Sequence, residues 1–263
     1  MKWIISSIMA LIFVALSVSA QAFDVSIVRA EMAKGQFQDA YSLAEKSETA
    51  EGLALAAESL LTEILLGEAM KNKKQAKTAR KLAQAALDLD PMHQNARLQF
   101  AVADGFITRE TGDVSAWMKK LPQKTYGIIQ SYRTDFPDDV RGDALLGAWH
   151  LAIVRKAGEK NANKWFEASI KDGQYLFEKA LEKSPDDIII GINYAFALIV
   201  LDEEEFSDLS VARKHLEYLS RLEPKDYLDQ TLFAFGKEAL SRLDNRENAQ
   251  DYTAQFLDGK RPE

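Results

Sequence analysis

The sequence predicts an all-α protein of antiparallel helical hairpins set in series, and three observations predict it. The 263-residue chain has only 13 Gly and 6 Pro, too few breakers for a long β-rich topology, and its frequent Ala, Leu, Glu and Lys favour helices. Pro91, Pro137, Pro185 and Pro224 recur at the ends of apolar-periodic segments, each followed by polar residues able to start the next helix. Residues 60–93 carry Leu66-Gly67, then Ala79, Ala83 and Ala86-Leu87, closed by Asp90-Pro91, which puts the small and apolar positions of the second half on one helical face.

The chain opens with Lys2, an apolar run from Trp3 to Val18 and Ala20-Gln21-Ala22, the charged, apolar and small-residue parts of a secretory signal. Residues 1–22 are expected to be a signal peptide cleaved after Ala22, which makes the mature protein periplasmic. The alternative is an uncleaved anchor, but the run falls short of the ~20 residues that span a bilayer. The later apolar stretch, Ile188 to Leu201, is shorter and contains Asn193, so it reads as a buried helix and no stable membrane insertion is expected after cleavage. The absence of cysteine excludes disulfides, thiolate zinc sites, cysteine nucleophiles and a lipoprotein anchor. Of 33 basic and 40 acidic residues, losing Lys2 leaves 32 against 40, a net charge of −8. Nucleic-acid binders are expected to be basic, so no nucleic-acid partner is expected.

In order, residues 24–46 read as a first hairpin in which Gly35 supplies the turn, Phe37 packs under it, and Ala40 and Ala44 give a small helix-crossing face; a lone amphipathic helix is the alternative. Residues 60–93 form the second, with Gly67 and Ala79 small where two helices would cross and Pro91 ending the unit because it has no N–H to donate. Its turn region carries Lys71, Lys73, Lys74, Lys77, Arg80 and Lys81, either a solvated helix face or a surface for an acidic partner or anionic lipid. Residues 94–137 hold Ala96, Phe100, Ala101 and Ala103, then Trp117, Leu121, Tyr126, Ile128, Ile129 and Tyr132, with Pro122 interrupting the second segment. The unit is longer than a plain hairpin, so an insertion is expected in its turn.

Residues 140–185 open after Asp138-Asp139, suited to a helix N-terminus. They run through Leu146-Gly147 and Trp149-His150, then an amide-rich stretch, Trp165-Phe166 and a closing helix from Gly173 to Lys183, and this unit too is enlarged. Residues 193–226 place Ala212, Leu216 and Leu219 before Pro224, with Val200 where a glycine is expected, which predicts a looser hairpin. Residues 227–257 are a final helix pair covering the apolar end, and residues 258–263 are expected to be a loose C-terminal tail.

The recurring leucine, glycine, alanine and proline offsets resemble the tetratricopeptide repeat (TPR) superfamily over most of the chain after residue 22, most fully at 60–93. The resemblance implies an α-solenoid of TPR-like antiparallel helical hairpins over residues 23–257, with a C-terminal capping helix pair. It also implies that the first helices line a concave groove for peptides, partner proteins or small ligands. Carrying the repeat offsets over gives Phe106, Arg141, Leu151, Arg155 and Tyr194 as groove-binding residues, and Trp149 and His150 join them as an aromatic and imidazole pair that either lines a ligand cavity or packs in the core. The enlarged units and Trp117, Trp149 and Trp165 could close that groove into an apolar pocket.

His93, His150 and His215 are widely separated with no HExxH pair, and Asp202 with Glu203, Glu204 and Glu205 are consecutive and read as a solvated turn. Nucleophile-elbow, P-loop and dinucleotide patterns are missing too, so the chain is expected to have no catalytic residues, metal site or cofactor. The leading expectation is therefore an exported, non-catalytic adaptor or scaffold that binds another envelope protein or peptide segment. The alternative is a helical component of a periplasmic transport system that binds a small hydrophobic ligand, similar in plan to one family of such components, and the third reading is an enzyme with an unrecognised site.

Overall fold

The computed structural model describes residues 24–202 and 204–263. The expected signal peptide and Glu203 lie outside the described residues. Among the described residues every regular element is helical. In order these are α1 (Val25–Ala33), α2 (Phe37–Ala44), α3 (Ala50–Leu65), α4 (Asn72–Leu89), α5 (Gln94–Arg109), α6 (Asp113–Met118) and α7 (Leu121–Asp135). They continue as α8 (Val140–Ala157), α9 (Glu159–Phe166), α10 (Ile170–Lys183), α11 (Ile188–Ile199), α12 (Ser210–Leu219), α13 (Tyr227–Arg242) and α14 (Arg246–Leu257).

Caps start most of the long helices. Asp24, Thr49, His93, Asp139, Ser169, Asp187, Asp226 and Asn245 each accept a hydrogen bond from a backbone N–H of the following turn, satisfying donors that the helix leaves open. Consecutive long helices then pack antiparallel, as paired contacts reveal. Lys73 reaches the Glu110 carbonyl while Arg80 meets Asp104, joining α4 to α5. Trp149 lies by Tyr126 while Asp143 holds Arg133, joining α7 to α8. Gly191 faces Leu219 while Tyr194 meets His215, joining α11 to α12. The ends of α3, α5, α8 and α11 therefore share one edge with the starts of α4, α7, α10 and α12, and α6 and α9 lie in turns on that edge.

α1 and α2 lie on either side of a turn in which Gly35 sits at φ 80°, with Phe37 buried against Tyr227. The second differs. α3 starts ten residues before position 60, and Gly67 is not at a helix crossing: at φ 69° it ends α3, with the Glu68 N–H bonded to the Glu63 carbonyl across it. The crossing glycine is instead Gly147 inside α8, where a methyl group would meet the Phe177 ring at 2.8 Å and the Gly173 carbonyl at 3.0 Å. Pro122 starts α7 rather than interrupting it; as the second residue of the helix its missing N–H costs nothing, and the break falls at Lys120, φ 52°. Val200 caps α11 in ordinary right-handed geometry, and the α11–α12 approach is kept close by Gly191, 2.8 Å from Leu219 Cδ1 were it to carry a methyl group.

The last pair, α13 and α14, packs on α11, with Phe256 and Tyr252 edge-on to Phe196 and Gly236 against Ile192. It also reaches back to the start of the chain. Tyr227 faces Gly35 and Phe37, and its hydroxyl donates to Glu68 at 2.9 Å.

Candidate functional site

The first half of α3, the first turns of α5 and α8 and the middle of α1 enclose an open recess of about 460 Å³ lined by Arg29, Glu51, Glu58, His93, Gln94, Asn95 and Arg141. His93 serves twice. As the cap of α5 its Nδ1 accepts from the Ala96 N–H at 3.2 Å, which leaves the proton on Nε2, 3.0 Å from Glu51. Glu58 takes the Arg29 guanidinium at 2.5 Å on one oxygen and the Asn95 amide at 2.9 Å on the other.

Asp139, the cap of α8, gathers the other wall: it accepts from Gln94 at 2.6 Å, from Arg141 at 2.5 Å and from the Tyr132 hydroxyl. Burial would raise this carboxyl, but its bonds from Arg141, Tyr132 and Gln94 outweigh burial and hold it well below the usual carboxylate range. The same burial, reinforced by the Asp139 carboxylate, pushes the Tyr132 hydroxyl well above its ordinary value. The recess thus presents alternating guanidinium, carboxylate and amide groups, suited to holding a polar, extended chain segment by charge and hydrogen bonds. Among the described residues no three His, Asp or Glu side chains converge as a metal ion would need.

The opposite ends of the same helices hold the chain's own last residues. The Arg109 guanidinium, at the end of α5, donates to the Leu257 carbonyl at 3.3 Å, and Asn72, at the start of α4, donates to the Gly259 carbonyl at 2.8 Å. Arg155 of α8 pairs with Asp258 at 3.0 Å, and Arg261 pairs with Glu68 beyond the end of α3 at 2.7 Å. Gly67 lies directly against the backbone of Lys260 and Arg261, and Gly259 and Pro262 are buried. The tail expected to be loose is therefore bound, because four helix termini offer it donors and a carboxylate.

Of the residues expected to line a groove, only Arg141 lies in the recess. Arg155 holds the C-terminal segment, and Phe106 lies half-buried beneath Arg109, 4.5 Å from its guanidinium, supporting that contact from below. Leu151 is 1% exposed and packs over Gly173. Tyr194 is fully buried, stacked on Phe177 with its hydroxyl on Glu178 at 3.0 Å. Trp149 and His150 are core residues: the indole N–H donates to the Pro122 carbonyl at 3.0 Å, and His150 Nδ1 accepts from the Ser169 N–H at 3.2 Å. Burial lowers the His150 pKa below the ordinary imidazole value, against the pull of Asp172. Trp117 and Trp165 are exposed, and among the described residues no ring contact joins them to Trp149.

Sequence reasoning missed Arg29, Glu51, Glu58, His93, Gln94 and Asn95. The signal that was there, a polar His-Gln-Asn step one residue after Asp90-Pro91, reads locally as a helix start and carries no sign of the helices beside it. No protein-family model matches the chain, and a comparison with curated proteins finds no match.

Proposed function

We propose that this chain is an exported, non-catalytic adaptor or scaffold, an α-solenoid of TPR-like hairpins that binds an extended segment of another cell-envelope protein. One observation carries the reading: the helix ends already hold a non-helical chain segment, the turn that closes α14 and the residues after it, through the Leu257 and Gly259 carbonyls as well as the charges of Asp258 and Arg261. Backbone capture of that kind tolerates many sequences, which suits an adaptor. The recess on the same three helices offers matching chemistry and is open. Export rests on the charged, apolar and small-residue order of residues 1–22. The small hydrophobic ligand is less well supported, since the recess is polar and Trp149 is committed to the core.

A photo-crosslinking residue in place of exposed Gln94, compared with one in place of exposed Gln84 on α4, tests this in cells. A defined envelope protein captured from 94 and not from 84, and lost when Arg29→Glu is added, is the expected result. Capture that ignores Arg29→Glu, or none from a folded and exported protein, would overturn the reading.

A further inference from the structure

We propose that the edge where α3, α5 and α8 end docks onto an anionic lipid bilayer, with α6 and the residues after it as the point of contact. Val114, Trp117 and Met118 lie at i, i+3 and i+4, so they share one helix face, and they are 74%, 63% and 73% exposed. Apolar side chains grouped this way on a soluble surface mark an interaction site. The chain then runs through Lys119, Lys120 and Lys124, with no acidic residue from Val114 to Lys124, in a protein of net charge −7. All three lysines are exposed, and among the described residues none forms an ion pair.

The wedge is held from beneath. Ala116 buries the opposite face of α6, Lys120 turns the backbone at φ 52°, and buried Pro122 at the start of α7 gives its carbonyl to the Trp149 indole. Neighbouring turns on the same edge repeat the composition. Met70, between α3 and α4, is 96% exposed and is followed by exposed Lys71, Lys74 and Lys77. On α9, Trp165 is 61% exposed with the Lys164 ammonium 4.6 Å from its ring.

The opposite edge, where these helices begin, exposes Asp88, Asp90, Asp138, Asp186 and Glu223. The α11–α12 turn of the docking edge also exposes Asp202, Glu204 and Glu205, so the tryptophan, methionine and lysine of that edge are concentrated in the α3–α4 and α6–α7 turns and on α9. Apolar tips spread over successive turns and flanked by lysines match a broad anionic surface into which the tips dip while the ammonium groups stay among the headgroups. A compact protein pocket would instead call for convergent side chains. The recess lies at the opposite ends of the helices, so this inference does not rest on the peptide reading.

The test is co-sedimentation of the chain from Phe23 onward, which keeps every described helix, with vesicles of phosphatidylglycerol and phosphatidylcholine or of phosphatidylcholine alone. Binding to the anionic vesicles, weakened by added salt, is expected. The combined Lys119→Gln, Lys120→Asn, Lys124→Gln variant should lose roughly a hundredfold in partitioning. The combined Val114→Ser, Trp117→Ser, Met118→Ser variant should also release the protein, with an unchanged circular dichroism spectrum in both. No binding by folded wild-type protein, equal binding to neutral vesicles, or binding that survives both variants would overturn the proposal. So would a protein crosslinked through position 117 in the absence of vesicle binding.

Discussion

Replacing Gly147 by alanine should destabilise the protein, although the same change at Gly105 should stabilise it. Both glycines lie inside helices, where exchanging glycine for alanine gains roughly 0.5–1 kcal/mol. At Gly105 nothing lies within 4 Å of the added methyl group, so that gain is kept. At Gly147 the methyl group meets the Phe177 ring at 2.8 Å and the Gly173 carbonyl at 3.0 Å. Phe177 is fully buried and stacked on Tyr194, with centroids 4.9 Å apart, so the ring cannot yield without moving Tyr194. Overpacking of this kind costs ~1–3 kcal/mol, which leaves Gly147→Ala about 1 kcal/mol less stable than wild type at the middle of the ranges, and about 2.5 kcal/mol at most, after the helix gain is subtracted.

Urea unfolding followed by circular dichroism reads this directly: the midpoint should fall for Gly147→Ala and rise for Gly105→Ala at constant slope. In thermal melts each kcal/mol is worth ~2–4 °C for a chain of this size. Equal stabilisation by both substitutions would refute the close α8–α10 crossing. Gly236→Ala should fall between them, because the atom it meets, Ile192 Cδ1 at 2.5 Å, is the far end of a side chain that can turn away.

Gly67→Ala should release the C-terminal segment. The position needs φ 69°, which costs an L-residue about 1–2 kcal/mol, and the new methyl group would occupy the place of the Lys260–Arg261 backbone. Carboxypeptidase should then trim residues 258–263 much faster than in wild type while helical content holds; unchanged trimming would count against the bound tail. Stability should also fall as acid is added below about pH 6.5. Burial lowers the pKa values of His150 and His215, opposed at His150 by Asp172 and at His215 by Glu178, so the unfolded chain takes up protons that the folded chain resists. The contribution is full above the ordinary imidazole value and is lost as pH falls through it, by at most roughly 1.4 kcal/mol per pH unit for each histidine. Urea midpoints at about pH 7.5 and 5.5 check the sign, and His215→Gln should flatten the dependence.

Helix ends were the legible part of this fold because their causes are local. Asp139 and Asp187 cap, Pro91 and Pro185 follow a finished helix, and each acts within one turn of its own position. Gly67 and Gly147 mark the limit. Both follow leucine, yet one closes a helix and the other lets two helices cross. What separates them is the flanking sequence: Gly147 is followed by Ala148-Trp149-His150-Leu151, which continues the apolar period, whereas Gly67 leads into Glu68-Ala69-Met70-Lys71. The true start of α3 was also on the page, in Thr49 followed by the alanine-rich run from Ala50 to Ala57.

The recess and the bound tail were illegible for a different reason. Asp139 stabilises its own helix by accepting from the Arg141 N–H, which any reading of the sequence anticipates. Its second task, holding Gln94 from a helix that starts 45 residues earlier, exists only because α5 and α8 run the same way and begin along one edge. Likewise Asp258 and Arg261 look like ordinary polar tail residues until α8 supplies Arg155 and the end of α3 supplies Glu68. An end-to-end order of helices is written in short-range signals, whereas a site depends on lateral spacing summed over several hairpins, and small errors in each crossing accumulate. The α6 wedge is the exception: its apolar face and its lysines lie within Val114 to Lys124, so the element that meets the proposed surface is contiguous in the chain even where the other candidate sites are not.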